Sequence, residues 1–331
     1  MTHRITRRDS LAVAAGVLML PAAAHGLQRT DAHLFGSPVE LWMPAQAETE
    51  RAAAWRELEG IHRRWNAWKP GEVTALNAAF AAGRSARVEP VLAGVIRAAA
   101  ALESASFGFF NPAIGGLVGA WGFHDDVLAA GTKPTRRVVE RRLAARPSLA
   151  QVEWRGGEAF SRNPALQLDL GAYAKGVAID RCLAQLRRRG VHDALLNLGG
   201  NLAAMGQVDG RPWRIGIRDP HGPGLVATLE TRGEAVVTSG SYERWRLLDG
   251  ERCTHILDPQ TGEPARGIVS VTVVHPSAAL ADAAATALLV AGPARWRRVA
   301  ERMGVDQVLV VDRHGRLDAT PRLTPRLQRP A

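Results

Sequence analysis

The sequence predicts an α+β protein in which helices and strands follow one another without a regular repeat. Between residues 47 and 68, apolar side chains recur every three or four positions, which is helical periodicity. From about residue 151 onward, short apolar runs with period-two patterning separated by turn residues indicate strands. Because helices do not alternate regularly with these strands, a doubly wound parallel sheet is disfavoured.

Periodicity and turn residues place the individual elements. Helices are predicted over 47–68, 90–105, 136–145 and 278–290, with one more before a C-terminal hairpin over 308–317. Strands are predicted over 151–154, 158–161, 194–198, 213–217, 235–237, 253–257 and 268–274. The glycine- and aromatic-rich stretch over 107–123 is expected to be a shaped loop with a short helical turn. The sequence has no internal repeat and no clear domain boundary after the N-terminal segment.

Composition limits the function classes. The chain has 331 residues, of which 46% are apolar and 22% charged, as is typical of a globular protein. Two cysteines are too few for a disulfide framework or a cysteine-based metal site. The formal net charge of +10 comes almost entirely from scattered arginines, without a recognised nucleic-acid-binding signature, so we expect no nucleic-acid partner. A polyanionic small substrate stays compatible with this charge.

The N-terminus has the layout of an export signal. Arg7 and Arg8 precede an uncharged run from Leu11 to Leu20, and Pro21 with three alanines follows. This order favours a twin-arginine signal peptide over 1–25 and a mature periplasmic domain over 26–331. The alternative is a permanent membrane anchor, although the run is well short of the ~20 apolar residues that a spanning helix needs.

The segment from Leu168 to Asp180 combines a predicted strand end, a glycine turn and the start of a helix. A helix N-terminus presents free backbone N–H groups and the positive end of the helix dipole, so it suits phosphate. Lys175, one of only three lysines in the chain, lies there. The segment is not a Walker loop, because no Gly-Lys-Ser/Thr follows its glycines. A glycine turn with a solvated lysine is the alternative interpretation.

Two further segments combine turn residues with reactive side chains. Paired glycines within 197–201 follow an apolar strand and allow close approach of a ligand, but they are also ordinary turn formers. Farther along, His255 leaves a predicted strand directly before an Asp-Pro-Gln-Thr-Gly turn that begins at Asp258. An imidazole and a carboxylate could therefore face the same space, and a structural histidine in a common turn is the alternative.

Asp282 and Thr286 lie in an otherwise apolar, alanine-rich helix. They are four residues apart, so both side chains share one helical face. A carboxylate and a hydroxyl are costly to bury among alanines unless something binds them. Hard oxygen ligands at this spacing suit Mg²⁺, which takes one or two protein carboxylates and completes its shell with phosphates and water. An exposed polar pair on a surface helix is the alternative.

In this order and spacing, the segments resemble the ApbE family of FAD:protein FMN transferases. The matching stretches are Asp-Leu-Gly-x-x-Ala-Lys-Gly at 169–176, Leu-Gly-Gly-Asn at 198–201, Thr-Ser-Gly at 238–240, His-Ile-x-Asp-Pro-x-Thr-Gly at 255–262 and Ala-Asp-x-x-x-Thr at 281–286. Upstream, residues 35–37 look like the family's Met-Gly-Thr strand, 68–70 its first helix and turn, and 110–112 its Phe-x-Pro region. The resemblance covers nearly all of the mature chain. It implies mixed, largely antiparallel sheets flanked by helices, in a T-fold-like architecture.

The resemblance also implies an activity. Family members use Mg²⁺ to move the FMN half of FAD to a threonine hydroxyl of an acceptor protein, with release of AMP. The acceptor carries a Ser/Thr-Gly-x-Thr type motif, and we expect a membrane-associated electron-transfer subunit. By the resemblance, Asp282, Thr286 and the backbone carbonyl of Ala172 hold the metal. His255 is then the base that takes the threonine proton, with Asp258 in reserve.

For recognition of FAD as substrate, the resemblance points to aromatic, polar and charged residues along the whole chain. They are Phe35, Trp68, Phe109, Phe110, Asn111, Asp169, Lys175, His255 and Ile256. Two alternatives stay open. One is a Mg²⁺-dependent FAD pyrophosphatase, in which water replaces threonine. The other is a non-enzymatic periplasmic flavin-binding assembly factor, against which the retained base and metal ligands argue.

Overall fold

The structure is a computed structural model that describes residues 17–19, 26–125 and 127–328. Of the predicted signal peptide, only residues 17–19 fall within these ranges, so the rest of that prediction lies outside the described residues. The described ranges contain eight α-helices: α1 Glu48–Arg64, α2 Glu72–Ala81, α3 Pro90–Ala105, α4 Gly115–Ala120, α5 Arg136–Ala144, α6 Ala174–Arg188, α7 Ala278–Ala291 and α8 Trp296–Met303. None of these helices is both long and apolar enough to cross a bilayer.

The strands of the same ranges are numbered in chain order. They are β1 Val17–Met19, β2 Leu27–Leu34, β3 Ser37–Pro44, β4 Ala86–Arg87, β5 Val152–Arg155, β6 Glu158–Ser161, β7 Ala194–Leu198, β8 Asn201–Met205, β9 Trp213–Arg218, β10 Leu225–Thr231, β11 Ala235–Gly240, β12 Trp245–Leu248, β13 Glu251–Thr254, β14 Ile268–His275, β15 Val308–Asp312 and β16 Leu317–Ala319.

An eight-stranded sheet organises the molecule. Its strand order is β16-β15-β14-β11-β8-β7-β3-β2, and each neighbouring pair is antiparallel. Three smaller sheets, β1-β9-β10, β12-β13 and β4-β6-β5, are also antiparallel. The predicted α+β class with largely antiparallel sheets is therefore confirmed.

Both faces of the large sheet are covered. On β11, Ala235 and Val237 contribute to the core beneath α6 and α7, whereas Val236 contributes to a second core against β9 and β10. Successive side chains of a strand point to opposite faces, so a strand buried on both sides reads as a continuous apolar run. This explains why β7 and β8 are buried along their whole length.

A third, smaller core joins α4 and α5 to the β12–β13 hairpin. Leu117 and Trp121 of the α4 region pack with Val139 of α5 and with Leu248 and Leu257. The Trp121 indole N–H also donates to the Gly262 carbonyl at 2.9 Å. This core fixes the segment 255–262, which carries the predicted histidine.

Several predicted boundaries differ from the structure. The strand predicted over 253–257 is β13, which ends at Thr254, and the residues before Asp169 form a single isolated bridge instead of a strand end. Residues 35–36 form the turn between β2 and β3. Sequence periodicity alone also missed α2 and the strands β1 to β4, β8 and β10.

The missed helix α2 has a local explanation. Gly71 follows Pro70 and was expected to end a helix, but it is the N-cap of α2, where its N–H donates to the Thr74 hydroxyl at 2.8 Å. A Cβ at Gly71 would lie 2.7 Å from the Arg64 carbonyl oxygen, so glycine allows α2 to fold back on the end of α1. The predicted helix over 47–68 is also too long, because α1 ends at Arg64, so the Pro-Gly pair starts α2 instead of ending α1.

The two cysteines, Cys182 and Cys253, are both buried free thiols. Burial raises the pKa of the Cys182 thiol to about 12.

Candidate functional site

Helices α6 and α7 cross so closely that only glycine fits between them. A Cβ at Gly176 would lie 2.3 Å from the Ala278 carbonyl oxygen and 2.7 Å from the Ala279 Cα. The close approach brings the Gly176 N–H, in the first turn of α6, to 3.0 Å from Oδ2 of Asp282. We call this contact region, formed by Lys175, Gly176, Asp180, residues 277–279 and Asp282, the α6–α7 junction.

Asp180 holds the start of α7 in the junction. Its Oδ1 accepts the Ala278 N–H at 2.7 Å, and its Oδ2 accepts the Ala279 N–H at 3.0 Å and the Ser277 hydroxyl at 2.7 Å. A carboxylate at a helix N-terminus satisfies unpaired N–H groups and complements the helix dipole. The register of α7 against α6, and so the position of Asp282, depends on this cap.

Asp282 is a buried carboxyl group with polar neighbours. It is 3% exposed, and burial raises its pKa, while the Lys175 charge, the Gly176 N–H and the Asn201 side chain act in the opposite direction. One turn later, Thr286 is half-buried, and its Oγ1 lies 3.3 Å from Oγ of Ser239 on β11. The alternative of an exposed polar pair on a surface helix is therefore excluded for Asp282.

His255 has a defined orientation. Its Nδ1 lies 2.9 Å from the Arg244 carbonyl oxygen, and its backbone N–H donates to the same oxygen at 3.1 Å. A carbonyl can only accept, so Nδ1 carries the proton and Nε2 is left as an acceptor. Burial lowers the pKa of His255 to about 4, and the Arg244 and Lys175 charges act in the same direction. The imidazole is therefore neutral near pH 7.

Asp169 lies beside the Trp68 side chain. Its Oδ1 accepts the Gly171 N–H at 2.8 Å, while its own N–H donates to the Pro112 carbonyl at 2.8 Å. Burial raises the pKa of Asp169, and the Gly171 N–H, the Arg244 charge and the Trp68 side chain oppose that rise. The carboxyl group is thus held at the end of the loop 110–115, before the N-terminus of α6.

Shared charges connect these groups into one site. Arg244 acts on both Asp169 and His255, and Lys175 acts on both His255 and Asp282. Residues that are more than a hundred positions apart in sequence therefore lie in one electrostatic neighbourhood. The predicted residues Trp68, Asp169, Lys175, His255 and Asp282 are brought together in this way.

Sequence reasoning did not single out Arg244. Its Nη2 donates to the carbonyl oxygens of Phe123 at 3.2 Å and Asp125 at 2.6 Å, so it also ties the loop after α4 to the β12–β13 hairpin. Its position directly after the Thr238–Glu243 segment was the available signal, but arginine is common in this chain.

The remaining predicted aromatic and amide residues contribute mainly to packing. Phe109 and Phe110 are 4% and 2% exposed, and the Phe110 ring lies edge-on to Tyr173. The Asn111 amide donates to the Pro147 carbonyl at 3.0 Å and its Oδ1 accepts the Ala113 N–H at 2.8 Å. Phe35 is half-buried, with its ring edge-on to His62. The two buried rings therefore fill the core, and Asn111 shapes the loop that approaches Asp169.

The other residues of the segment 255–262 have structural contacts. Ile256 is 6% exposed and belongs to the main core. Oδ1 of Asp258 accepts the Gln260 N–H at 2.8 Å, and its backbone bonds Glu263 and Gly262. Asp258 thus closes the turn that follows His255.

The predicted oxygen ligands, two on α7 and one just before α6, suit Mg²⁺ chemically. Within the described residues, no three or more His, Cys, Asp and Glu side chains cluster as a metal site. The predicted set is instead the Asp282 carboxylate, the Thr286 hydroxyl and the carbonyl of Ala172, which is two residues before α6. All three are hard oxygen donors with a single carboxylate, as Mg²⁺ sites that also bind phosphate commonly have.

Comparison with known proteins identifies the family of this chain. The model of the ApbE family matches residues 35–309. The chain belongs to the ApbE family. Among curated proteins, an FAD:protein FMN transferase of Rhodobacter capsulatus is 44% identical over 323 residues, which cover 96% of this chain and 61% of that protein. The chain thus spans less than two thirds of the length of this ApbE relative.

Solved structures of ApbE proteins share the fold. The Thermotoga maritima ApbE protein is 28% identical and superposes with a TM-score of 0.83 over 91% of this chain and 99% of its own. The flavin transferase ApbE from Vibrio cholerae is 26% identical, with a TM-score of 0.80 over 91% of this chain and 99% of its own. The architecture described above is therefore the ApbE fold.

Proposed function

We propose that this chain is an FAD:protein FMN transferase that moves FMN from FAD to a threonine hydroxyl of an acceptor protein and releases AMP. One observation carries the proposal. Asp282 is buried against the first turn of α6, beside Lys175, and the same lysine acts on the pKa of His255. The carboxylate that would bind Mg²⁺, the cation that would bind phosphate and the imidazole that would accept the proton thus lie in one neighbourhood.

FAD would bind along the loop before α6. The Asp169 carboxyl group is positioned to accept hydrogen bonds from ribose or adenine, and the half-buried Trp68 indole beside it offers an aromatic face. The pyrophosphate would lie at the N-terminus of α6, where the helix dipole and Lys175 both favour negative charge. Phe109 and Phe110 would contribute through their backbone, because their rings are buried.

Mg²⁺ would be held by Asp282, Thr286 and the carbonyl of Ala172. When bound, it supplies a positive charge that offsets the charge developing on the phosphate oxygens. The Gly176 N–H and Asp180 keep Asp282 in place without taking part in the chemistry. Ser239, whose hydroxyl oxygen lies 3.3 Å from Oγ1 of Thr286, would orient the Thr286 hydroxyl toward the metal.

His255 would accept the proton of the attacking threonine at Nε2. The Arg244 carbonyl fixes the opposite nitrogen as the protonated one, so Nε2 is unprotonated before the reaction. The resulting imidazolium would lie near Arg244 and Lys175, so it would lose the proton readily once AMP has left. Asp258 is less suited, because its Oδ1 is engaged by the turn.

The acceptor would be an electron-transfer subunit at the periplasmic face of the membrane, with a Ser/Thr-Gly-x-Thr type motif. An exported transferase needs a signal such as the paired arginines at residues 7 and 8. Fractionation of cells that express the full chain tests this: the mature protein is expected in the periplasm, and loss of export is expected for Arg7→Lys/Arg8→Lys. Cytoplasmic retention of the wild type would contradict the location.

The activity is tested by product analysis. Wild-type protein is incubated with FAD and Mg²⁺, with and without an acceptor domain carrying the motif, and with the same domain after its motif threonine is replaced by alanine. We expect AMP and covalently flavinylated acceptor in equal amounts, only with the intact acceptor, and loss of both after chelation of Mg²⁺. Rapid formation of free FMN without acceptor would identify a pyrophosphatase instead. Intact FAD under all conditions would identify a flavin-binding assembly factor.

A further inference from the structure

A cavity of about 350 Å³ lies between α4, α5 and two loops. The loop 107–111 and the turn residues Pro259 and Gln260 line it, together with Leu117 of α4 and Arg142 of α5. A volume of this size accommodates a few side chains of a partner or a small molecule. Because Gln260 follows His255 by five residues, any group bound in the cavity contacts the segment that carries the proposed base.

Four arginines that have no acidic partner among the described residues lie in or beside this cavity. Arg142 and Arg146 line it, and the buried Nε of Arg142 has no hydrogen-bond partner within the described ranges. Arg298 and Arg302 of α8 lie over the ring of Phe107, with their guanidinium carbons 5.1 Å and 4.8 Å from its centroid. None of the four arginines forms an ion pair with another described residue. We call Phe107, these four arginines and the cavity the arginine surface.

Phe107 connects the cavity to α8. Its side chain lines the cavity and is 39% exposed, which few large apolar residues are within the described ranges. Its φ of 56° is unusual for a bulky residue and marks a conformation that the surroundings must hold. The Gln260 side chain does so in part, because its Nε2 donates to the Phe107 carbonyl at 3.1 Å. Phe107 is therefore fixed between the arginines and the turn after His255.

We propose that the arginine surface docks an acidic segment of the acceptor protein, with one carboxylate side chain entering the cavity toward Arg142. The inference rests on the proposed function, for which a macromolecular acceptor must reach His255. Unpaired guanidinium groups repel one another and attract an anionic partner, and guanidinium pairs well with carboxylate. An exposed aromatic next to arginines is typical of the centre of a protein interface.

A protein segment fits this surface better than a membrane. The charged groups include Arg142, which lies in a concavity, whereas a bilayer surface meets exposed and protruding groups. The cavity also has polar walls at Asn111, Ser148 and Gln260, which can bond the backbone of an extended segment. Anionic lipid is therefore treated as a competing outcome of the experiment.

The test separates docking from chemistry. Arg298→Glu/Arg302→Glu changes two exposed residues on one face of α8, and Arg142→Ala removes the cation in the cavity. As a matched control, Arg187→Glu/Arg188→Glu makes the same charge reversal at the exposed end of α6. The probe is an acceptor domain with the Ser/Thr-Gly-x-Thr motif, used intact for transfer and with its motif threonine replaced by alanine for binding.

For both arginine-surface variants we expect the KM for the acceptor, and the Kd for its alanine form, to rise about tenfold or more. The KM for FAD and kcat at saturating acceptor should stay within about twofold of the wild type and of the control. The salt dependence of acceptor binding should also become shallower, because fewer ion pairs are formed. Thermal unfolding checks that the variants are folded.

Three results would overturn docking while leaving the proposed function intact. An acceptor Kd that changes equally in the variants and the control would exclude a specific surface. A raised KM for FAD would assign the arginines to the dinucleotide. Co-sedimentation of the wild type with phosphatidylglycerol vesicles, lost in the variants while the acceptor Kd stays unchanged, would assign them to lipid. Failure of the proposed function would be distinguishable from all three results. The wild-type protein would then release no AMP, whereas its binding to the acceptor with the alanine motif would still measure docking.

Discussion

The α6–α7 junction and the arginine surface solve opposite problems with similar residue types. In the junction, Asp282 is buried, and Asp180 and Asp282 accept hydrogen bonds from backbone N–H groups of the facing helix. On the arginine surface, the charges are of one sign, and within the described residues they have no acidic partner. The contacts between α6 and α7 are therefore satisfied within the chain, whereas the charges of the arginine surface are left for another molecule to neutralise.

The two regions should therefore respond differently to substitution. Changes in the junction should lower the stability of the protein, because backbones and caps are in contact there. Changes on the arginine surface should lower acceptor affinity with little effect on stability, because the affected groups are already hydrated or mutually repulsive.

The largest effect is expected for Gly176→Ala in the junction. The new Cβ would lie 2.3 Å from the Ala278 carbonyl oxygen, so α7 must shift, and the contact with Asp282 is lost. We expect a loss of about 3 kcal/mol or more in the free energy of unfolding, measured by urea denaturation. Gly94→Ala is the control, since Gly94 lies in α3 with nothing within 4 Å of its added Cβ. It should stabilise the protein by up to about 1 kcal/mol, and equal losses in both variants would contradict the close packing.

A smaller loss is expected for Asp180→Ala. The substitution removes the acceptor for two N–H groups and a hydroxyl at the start of α7. We expect a loss of about 2 kcal/mol in the free energy of unfolding, at the upper end for an N-terminal cap. Transfer activity should fall as well, because α7 carries Asp282. Unchanged stability and activity would show that the cap does not set the register of α7.

The lowered pKa of His255 predicts that the stability of the protein depends on pH. Its folded-state pKa of about 4 is below its ordinary value of 6.5, so between these values the unfolded chain binds a proton that the folded chain does not. Its contribution to stability is thus fully present above about pH 6.5 and is lost as the pH falls toward about 4.

Melting temperatures of wild type and His255→Gln, measured across this range, test the prediction. The wild type should lose more stability than the variant on acidification. The raised pKa values of Asp169 and Asp282 act in the opposite direction, but they do so in both proteins and cancel in the comparison. Parallel curves would mean that the surroundings of His255 do not disfavour its protonated form.

The smallest effect is expected for Arg302→Gln on the arginine surface. The substitution removes one of the four positive charges of the arginine surface, and it also removes a contact with the Phe107 ring. Loss of the repulsion between like charges stabilises the protein, and loss of the ring contact destabilises it. The free energy of unfolding should therefore change by no more than about 0.5 kcal/mol. A loss as large as that of Asp180→Ala would show that the arginines serve the fold.

Sequence reasoning predicted elements that are periodic over several turns. Helix α3 was predicted over 90–105 and has these bounds, and α7 differs from its prediction by a single residue. The strand β7 was also correct, because a glycine pair marks its end. Helix α2 and strand β8 were missed, since the Pro-Gly and Gly-Gly pairs that precede them read as breaks without the packing that follows.

The same limit applies to the site. The burial of Asp282 could be predicted, because a single carboxylate among alanines needs a partner. The contacts of Arg244 with two backbone carbonyls, and the lack of a partner for Arg142, depend on residues far away in sequence. Pattern and spacing therefore identify the reactive residues, and tertiary packing decides which charges are satisfied.

The role of Asp282 is tested most sharply by AMP release from the Asp282→Ala protein in the presence of FAD, Mg²⁺ and acceptor. Asp306→Ala is the control, because Asp306 is an exposed carboxylate paired with Arg322 on the surface. If Asp282 is the carboxylate around which the site is built, AMP release and acceptor labelling should both fall at least about 100-fold, while the control stays at the wild-type rate. An Asp282→Ala protein that labels the acceptor as fast as the wild type would show that the site is not built around this carboxylate.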